Sequence, residues 1–386
     1  MLISPNAFFT DNLLKWFATN HRPLPWKGEK NPYLIWLSEI ILQQTTVKQG
    51  LPYYERFVAA YPSVKQLANA PEDEVMKLWE GLGYYSRARN LHATAKHIAY
   101  ELNASFPNTY ADIIKLKGVG AYTAAAIASF AFDLPHAVLD GNVYRVLSRF
   151  FGIETPIDSI QAKKIFTELA NELLDKKRPA DFNQAMMDFG ATHCTPSNPN
   201  CRNCLLNTHC FAFLNKKTGE LPIKSKKLIK RDRFFNYLII NQGDSVFIKK
   251  RLEKDIWQNL YDFPLIETYR LIENLPNIAE IQGFNENTVP PSQDDDESVK
   301  GGKLTRATAQ SGGTSSTSLK FLKKSQPYKQ LLTHQSIYAV FWEFEADENF
   351  LLKGDNFLKV ERKNLSTFAV PKVIDNFFNK KVLTLF

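Results

Sequence analysis

Two carboxylates in this sequence have surroundings that could support acid and base chemistry. Glu39 lies in the segment WLSEIILQQT, flanked by leucine and isoleucine, and Asp140 lies in the segment VLDGNV. Because a carboxylate in apolar surroundings is costly as the anion, we expect the pKa of Glu39 to be raised, so that it could donate a proton near neutral pH. The alternative is that Glu39 lies on an exposed helix face and that Asp140 is only a helix cap.

The cysteines form the second chemically distinctive group. All four fall in one short stretch, as Cys194, Cys201, Cys204 and Cys210. The N-terminus has no pattern of an export signal, and clustered cysteines in such a chain indicate metal ligation rather than a disulfide framework. Their spacing does not distinguish a zinc site from an iron–sulfur cluster.

A glycine-containing turn precedes Asp140 by about twenty residues. The segment LKGVG, ending at Gly120, is followed by a small apolar run at 121–132 that predicts a helix. The first backbone N–H groups of a helix are unpaired and can bind an anion, so a phosphate fits this turn. The alternative is an ordinary turn before a core helix.

Several further helices must position these groups. Apolar spacing predicts helices at 6–19, 33–57, 89–101, 142–151, 162–174 and 181–189, with the second bent or split at Pro52. Between them, residues 81–90 (GLGYYSRARN) predict a loop whose aromatic side chains could wedge into nucleic acid and whose arginines could meet phosphate. The alternative for this loop is a corner between helices with a solvated basic face.

The composition changes after the cysteines. Residues 216–233 form a basic segment that we interpret as a linker, either a flexible tether or a strap along DNA. Strand-like patterns at 234–240, 245–249 and 337–344 then predict a second, α+β domain. Within it, residues 285–326 are rich in small polar and charged residues, and we predict that most of this insert is disordered. The formal net charge of +8 over 386 residues favours a polyanionic partner.

Taken together, these segments resemble the helix–hairpin–helix DNA glycosylases, and within them the adenine DNA glycosylase family. The resemblance covers about residues 1–230 and is carried by the segments already quoted together with GVGAYTAAAIASFAF, LDGNVYRV and FNQAMMDFGATHCTP. It implies a mainly α glycosylase domain at 1–215 that includes a cluster loop at 194–210. The linker at 216–233 would then lead to a Nudix-like lesion-recognition domain at 234–386.

The resemblance implies a base-excision-repair enzyme that removes adenine opposite 8-oxoguanine or guanine by hydrolysing the N-glycosidic bond. Glu39 would be the acid, Asp140 would stabilise the oxocarbenium-like sugar, and Tyr122 and Asn142 would position both. Related lyases have a lysine where this chain has Tyr122. Since a phenol cannot form a Schiff base, we expect a monofunctional glycosylase.

The resemblance also implies how DNA and a cofactor would be bound. Trp26 and Leu82 would line the adenine pocket, Gln44 and Tyr84 would fill the opened stack, and the backbone of Gly118, Val119 and Gly120 would hold phosphate. The four cysteines would hold a [4Fe-4S] cluster. Thr333 and His334 would contact the lesion, although Leu332 and Thr333 stand where the family usually has phenylalanine and serine.

The expected partner is double-stranded DNA, bound by a cytoplasmic monomer without a membrane segment. The insert at 285–326 could hold motifs for protein partners. Two other functions stay open at this stage: a related mismatch glycosylase of different base specificity, and a non-catalytic iron–sulfur protein that only binds DNA. The Gly-rich catalytic box of Nudix hydrolases is absent from 234–386, so nucleotide hydrolysis is not expected there.

Overall fold

The computed structural model describes residues 4–225, 230–275, 319–352 and 357–383. The chain divides into two compact units, Met1–Lys227 and Leu228–Phe386. The first unit is helical and the second is built on a β-sheet, and each is described below by itself.

The helical unit is a succession of short helices that begin at polar caps. Ser4, Asn31, Thr46, Ser63, Thr109 and Ser159 each accept a hydrogen bond from a backbone N–H in the first turn of the helix they precede. The helices are α1 (Pro5–Asn20), α2 (Pro32–Leu42), α3 (Val47–Ala60), α4 (Val64–Asn69), α5 (Glu72–Leu78), α6 (Ser86–Lys96), α7 (Tyr110–Ile113), α8 (Ala121–Phe132), α9 (Gly141–Phe151), α10 (Ile160–Leu173), α11 (Pro179–Thr192) and α12 (Phe211–Leu214).

The helix predicted at 33–57 is two helices, but the prediction of a break at Pro52 is wrong. Pro52 lies inside α3, and the chain turns before Val47, where Gln44 has a φ of 51° and Thr46 caps the new helix. A proline in the second turn removes only one intrahelical hydrogen bond, and the helix continues through it. Helix α6 also begins at Ser86, which shortens the predicted loop to residues 81–85.

The core of the helical unit fixes the start of α9. Phe9 and Leu13 of α1, Val143 and Leu147 of α9 and Phe182 of α11 are all buried in one apolar cluster. The buried face of α9 is long enough to hold the helix in a defined orientation. Asp140, the residue before this helix, is therefore held in place by the core.

The basic segment predicted as a linker is largely part of the helical unit. Leu221 is buried and its carbonyl accepts a hydrogen bond from Arg149 Nε at 3.1 Å, while the carbonyl of Ile223 accepts one from the N–H of Ile157 at 3.0 Å. Ser225 donates to Asp158. Up to residue 225 the segment is therefore neither a free tether nor an extended strap, because its backbone is paired with this unit.

The second unit contains a mixed sheet. Its strands are β1 (Arg231–Gln242), β2 (Ser245–Lys250), β3 (Tyr261–Asp262), β4 (Leu265–Thr268), β5 (Leu319–Lys324), β6 (Tyr328–Leu331), β7 (Gln335–Ala346) and β8 (Phe357–Glu361). The main path runs β3-β2-β1-β7-β5, with β4 on β1, β6 on β7 and β8 on β2. The central pair β1–β7 is parallel and the other pairs are antiparallel. The three predicted strands are confirmed.

A helix covers one face of this sheet. In α13 (Lys372–Leu383), Phe377 stacks on Phe341 of β7 with ring centroids 4.0 Å apart. The second unit is thus α+β, as predicted.

The predicted disordered insert at 285–326 lies mostly outside the described residues. Its last part is described, and there the prediction is wrong: Leu319–Lys324 pairs with β7 as strand β5. Three of the six residues of this strand are apolar, namely Leu319, Phe321 and Leu322, but they follow a long polar segment, so a prediction from the composition of the whole insert did not detect the strand. None of the described helices is long and apolar enough to cross a membrane.

Candidate active site

Glu39 is buried in an apolar helix. Helix α2 is buried along most of its length, and Glu39 is only 5% exposed, which rules out the solvent-exposed alternative. Burial, together with the charge of Asp140, raises the pKa of Glu39 to about 7, although a hydrogen bond with Tyr122 lowers it. A substantial fraction of Glu39 is therefore protonated at neutral pH.

Asp140 caps helix α9 with both carboxylate oxygens. Its Oδ1 accepts a hydrogen bond from the N–H of Val143 at 2.7 Å, and its Oδ2 accepts one from Asn142 Nδ2 at 2.7 Å. Burial raises the pKa of Asp140, while these hydrogen bonds and the charge of Arg145 oppose the rise. Asp140 is thus a cap, and its two bonds also fix its orientation beside Glu39.

Tyr122 lies close to both carboxylates. It lies in the first turn of α8, it hydrogen-bonds with Glu39, and its hydroxyl is 3.9 Å from the sulfur of Met187. Burial, followed by the charges of Glu39 and Asp140, raises the pKa of Tyr122 well above its ordinary value. The phenol is therefore neutral. Three separate helices, α2, α8 and α9, bring Glu39, Tyr122 and Asp140 together.

A buried arginine holds Asn142, the partner of Asp140. Arg145 donates to Asn142 Oδ1 at 2.9 Å, to the carbonyl of Gly190 at 2.6 Å and to the carbonyl of Cys194 at 2.9 Å. Helix α11 approaches Asn142 so closely that a Cβ on Gly190 would lie 2.6 Å from the Cβ of Asn142. The geometry of Asp140 thus depends on contacts two steps away from it.

The four cysteines line one cavity and form no disulfide. Arg149, itself buried, places Nη1 3.5 Å from Cys194 Sγ, and the N–H of Leu206 lies 3.4 Å from Cys204 Sγ. Burial raises the pKa of Cys204 to about 12. Thiolates in such a cavity need compensating positive charge, and donors directed at sulfur suit a bound anionic metal–thiolate group. No group of three or more His, Cys, Asp or Glu side chains in the described part of the chain is arranged to hold a metal ion.

The predicted wedge residues occupy two short loops. Gln44 and Tyr84 are exposed, and both have left-handed backbones, with φ values of 51° and 49°. Leu82 is buried beneath the second loop, and Trp26 meets Tyr54 edge-on with ring centroids 5.2 Å apart. These contacts do not by themselves bring Trp26 or Leu82 to the carboxylates.

The predicted phosphate turn needs one correction. Gly118 has a φ of 81°, which requires glycine, and a Cβ there would lie 2.8 Å from the Cβ of Asn90. Gly120 caps α8. The N–H of Val119, however, donates to the carbonyl of Leu116 at 3.1 Å, so this group is already paired within the turn. Gly118 and Gly120 are the better candidates from this turn.

The predicted lesion-contacting residues lie in the sheet unit. Thr333 and His334 form the tight turn between β6 and β7, closed by the N–H of Leu332 donating to the carbonyl of Gln335 at 2.8 Å. His334 is exposed and its carbonyl accepts a hydrogen bond from the N–H of Arg231. The turn thus presents short polar side chains at the end of a hairpin.

Sequence reasoning missed several residues around the site. Gln43 donates to Thr123 at 3.1 Å next to Glu39, and Asp188, fully buried, binds Arg22 and Lys27 and so holds the loop that contains Trp26. Arg145 and Arg149 were also missed. The spacing of four indicates that the two arginines share one helix face, but nothing in the sequence places that face beside the cysteines, which begin at Cys194.

Comparison with known proteins gives the family. A family model described as HhH-GPD superfamily base excision DNA repair protein matches residues 37–172. The chain is 40% identical over 259 residues to the adenine DNA glycosylase of Buchnera aphidicola subsp. Baizongia pistaciae, covering 66% of this chain and 73% of that protein. It is 42% identical over 222 residues to the adenine DNA glycosylase of Mus musculus, covering 55% and 43%.

Among solved structures, a thermostable thymine-DNA glycosylase is similar to the helical unit. It is 30% identical, with a TM-score of 0.51, and the match covers 55% of this chain and 97% of that one. The Glu39–Tyr122–Asp140 group, the turn before α8 and the extent of identity agree: this chain belongs to the adenine DNA glycosylase family, a family of base-excision-repair enzymes.

Proposed function

We propose that this protein removes adenine placed opposite 8-oxoguanine or guanine in duplex DNA, by hydrolysing the N-glycosidic bond. The observation that carries the proposal is the grouping of a carboxyl group with a raised pKa, Glu39, and a hydrogen-bonded carboxylate, Asp140, around one tyrosine, Tyr122. The proposal also rests on the name of the curated relatives, adenine DNA glycosylase.

The first step is proton donation to the base. The adenine anion is a poor leaving group, so an acid must protonate a ring nitrogen as the bond to C1′ breaks. Glu39 suits this role, because burial keeps its pKa near 7 and Tyr122 can hold the carboxyl group in orientation. The bonding electron pair leaves with the protonated adenine, and the deoxyribose becomes a cation.

The second step is stabilisation and capture of that cation. Asp140, oriented by Val143 and Asn142, supplies a negative charge next to the site where positive charge develops. Water then attacks C1′ and gives its proton to the Glu39 carboxylate, which leaves an abasic site and restores the acid form of Glu39 for the next cycle. Tyr122 offers no amine, so the reaction should stop at the abasic site.

The adenine must leave the helix to reach these groups. We infer that Gln44 and Tyr84 enter the vacated space, that Trp26 and Leu82 line the adenine pocket, and that the backbone at Gly118 and Gly120 holds phosphate. Thr333, which is partly exposed, and His334, which is exposed, are our candidates for contacting the base opposite adenine.

The cysteine cavity supports a [4Fe-4S] cluster with Cys194, Cys201, Cys204 and Cys210 as ligands. Such a cluster would stabilise the folded loop around it and would take no part in base release. Arg149 would contribute positive charge beside Cys194 Sγ.

A single-turnover assay on duplexes with adenine opposite 8-oxoguanine, guanine or thymine tests the proposal. We expect strand cleavage at adenine only after alkali, fastest opposite 8-oxoguanine. Equal rates opposite 8-oxoguanine and guanine would support the proposed reaction but refute the proposed role of the Thr333–His334 turn in recognising the lesion. No cleavage on any duplex, from protein with absorbance near 400 nm, would favour a protein that only binds DNA.

A further inference from the structure

Arg87 is a buried cation in α6 that the proposed chemistry does not use. It is 8% exposed, and among the described residues it forms no ion pair. Burial lowers the pKa of its guanidinium to about 10, so the group is still charged at neutral pH. A buried charge without a carboxylate must be stabilised by other polar groups.

One part of this stabilisation comes from the end of the helix that carries Glu39. Arg87 Nη1 donates to the carbonyls of Ile40 at 3.0 Å, Ile41 at 2.9 Å and Gln43 at 2.6 Å. The last carbonyls of a helix have no intrahelical partners and carry partial negative charge, so a cation is favoured there. Arg87 thus caps α2 directly after Glu39.

The other part comes from the two loops with exposed wedge candidates. Arg87 Nη2 donates to the carbonyl of Gly83 at 3.1 Å and to Thr45 Oγ1 at 3.2 Å. Its guanidinium carbon also lies 5.4 Å from the ring centroid of Tyr84. One side chain therefore contacts both loops and the α2 terminus.

Two of the carbonyls that Arg87 binds lie directly before the exposed wedge candidates. Gln43 and Gly83 directly precede Gln44 and Tyr84, the two residues with left-handed backbones. A left-handed conformation costs about 1–2 kcal/mol for a residue other than glycine and persists where the surroundings determine it. Arg87 fixes the peptide plane before each of these residues.

We infer that Arg87 is a positioning residue that holds Gln44 and Tyr84 as one rigid pair against the end of α2, so that adenine extrusion depends on this side chain. This inference rests on the proposed function, since it assigns a role within adenine release. Lysine should not replace Arg87, because a guanidinium directs five N–H donors in one plane and an ammonium has three donors at one point.

The test compares Arg87→Lys and Arg87→Gln with the control Arg56→Gln. Arg56 is exposed, and its guanidinium also lies over a tyrosine ring, that of Tyr53 at 4.3 Å. Extrusion is measured by the fluorescence of 2-aminopurine placed beside the target adenine, and base release by single-turnover rates. We expect both Arg87 variants to lose the fluorescence rise and to release adenine about 10- to 100-fold more slowly, as misplacement by about 1 Å commonly does.

A second substrate separates positioning from misfolding. Adenine opposite an abasic site is extruded at lower cost, because it is unpaired. If Arg87 positions the wedge residues, the variants should recover most of the wild-type rate on this duplex, while Arg56→Gln matches wild type on both. An equal loss on both duplexes, or wild-type rate and fluorescence for Arg87→Lys, would overturn the inference.

The proposed function can fail independently. Wild-type protein that gives the fluorescence rise but releases no adenine would refute the proposed reaction, and loss of that rise in Arg87→Lys would still support the role of Arg87 in extrusion.

Discussion

The two units bury carboxylates in opposite ways. In the helical unit Glu39 is buried next to Tyr122 and Asp140 and, within the described residues, forms no ion pair. In the sheet unit, Arg251 binds both Asp255 and the fully buried Asp262, and Arg233 binds Asp255 and Glu267.

The difference is between a carboxyl group suited to proton donation and carboxylates that stabilise the structure. The helical unit can pair a buried carboxylate, as Asp188 shows with Arg22 and Lys27, so the isolation of Glu39 is not a limit of the fold. A cation beside Glu39 would lower its pKa and prevent proton donation near pH 7. The unpaired carboxyl therefore costs stability and retains its proton, whereas the paired network in the sheet unit holds a loop in place.

The largest expected effect comes from Glu39→Gln. Without an acid, adenine release should fall on the order of 10³-fold while duplex affinity changes little. The folded-state pKa of Glu39, about 7, exceeds its ordinary value of 4.5, so the stability it contributes is lost as pH rises between these values. At pH 8 the variant should therefore be more stable than wild type, by about 1–3 kcal/mol.

Single-turnover rates and thermal unfolding at pH 8 measure both effects, with Glu55→Gln on the exposed face of α3 as control. Substantial residual release would remove Glu39 from the acid role. An unchanged unfolding temperature would mean that Glu39 is not a destabilising buried charge.

Removing one partner from the sheet-unit network should have the next largest effect. Arg251→Met leaves Asp262 buried without its cation and should destabilise the unit by about 3–5 kcal/mol. Urea unfolding of this variant and of Arg270→Met, which removes an exposed arginine, gives the comparison. A loss no larger than that of the control would show that the network does not stabilise this unit.

The pH dependence of wild-type release should follow Glu39. Because its acid form is lost as pH rises through about 7, single-turnover rates should fall about tenfold per unit above that pH. The measurement covers pH 6 to 9 on adenine opposite 8-oxoguanine. A flat profile across this range would assign proton donation to another group.

The smallest effect is expected from an exposed ion pair. Lys30 and Asp133 form a bridge at 2.8 Å, with side chains 55% and 61% exposed. Lys30→Met should change the free energy of unfolding by less than about 1 kcal/mol, because solvent screens such pairs. Urea unfolding of Lys30→Met and Arg251→Met in parallel measures this change in the free energy of unfolding. A loss as large as that of Arg251→Met would contradict the contrast between exposed and buried pairs.

Local sequence predicted those parts of the site that depend on neighbours in the chain. An acid among leucine and isoleucine residues indicated Glu39, close spacing indicated the four cysteines, and a helix start indicated Asp140. The remainder depends on contacts across the fold. Neither the bond from Gln43 to Thr123 nor the pairing of β5 with β7 has a local pattern.

The linker shows the same limit. Its composition predicts a flexible tether or a strap along DNA, yet its backbone carbonyls accept hydrogen bonds from groups on α9 and before α10, such as Arg149. A basic composition does not reveal which carbonyls are buried.

The close contact between Gly190 and Asn142 has a consequence for the mutation rate of the cell. Any other residue there must displace Asn142, and with it Asp140, although Gly190 touches no reacting atom. On the proposed function, adenine left opposite 8-oxoguanine is copied into a T:A pair in the next round of replication. A substitution at Gly190 would therefore raise the frequency of G:C to T:A mutations by displacing Asp140, without changing Glu39, Tyr122 or Asp140 itself.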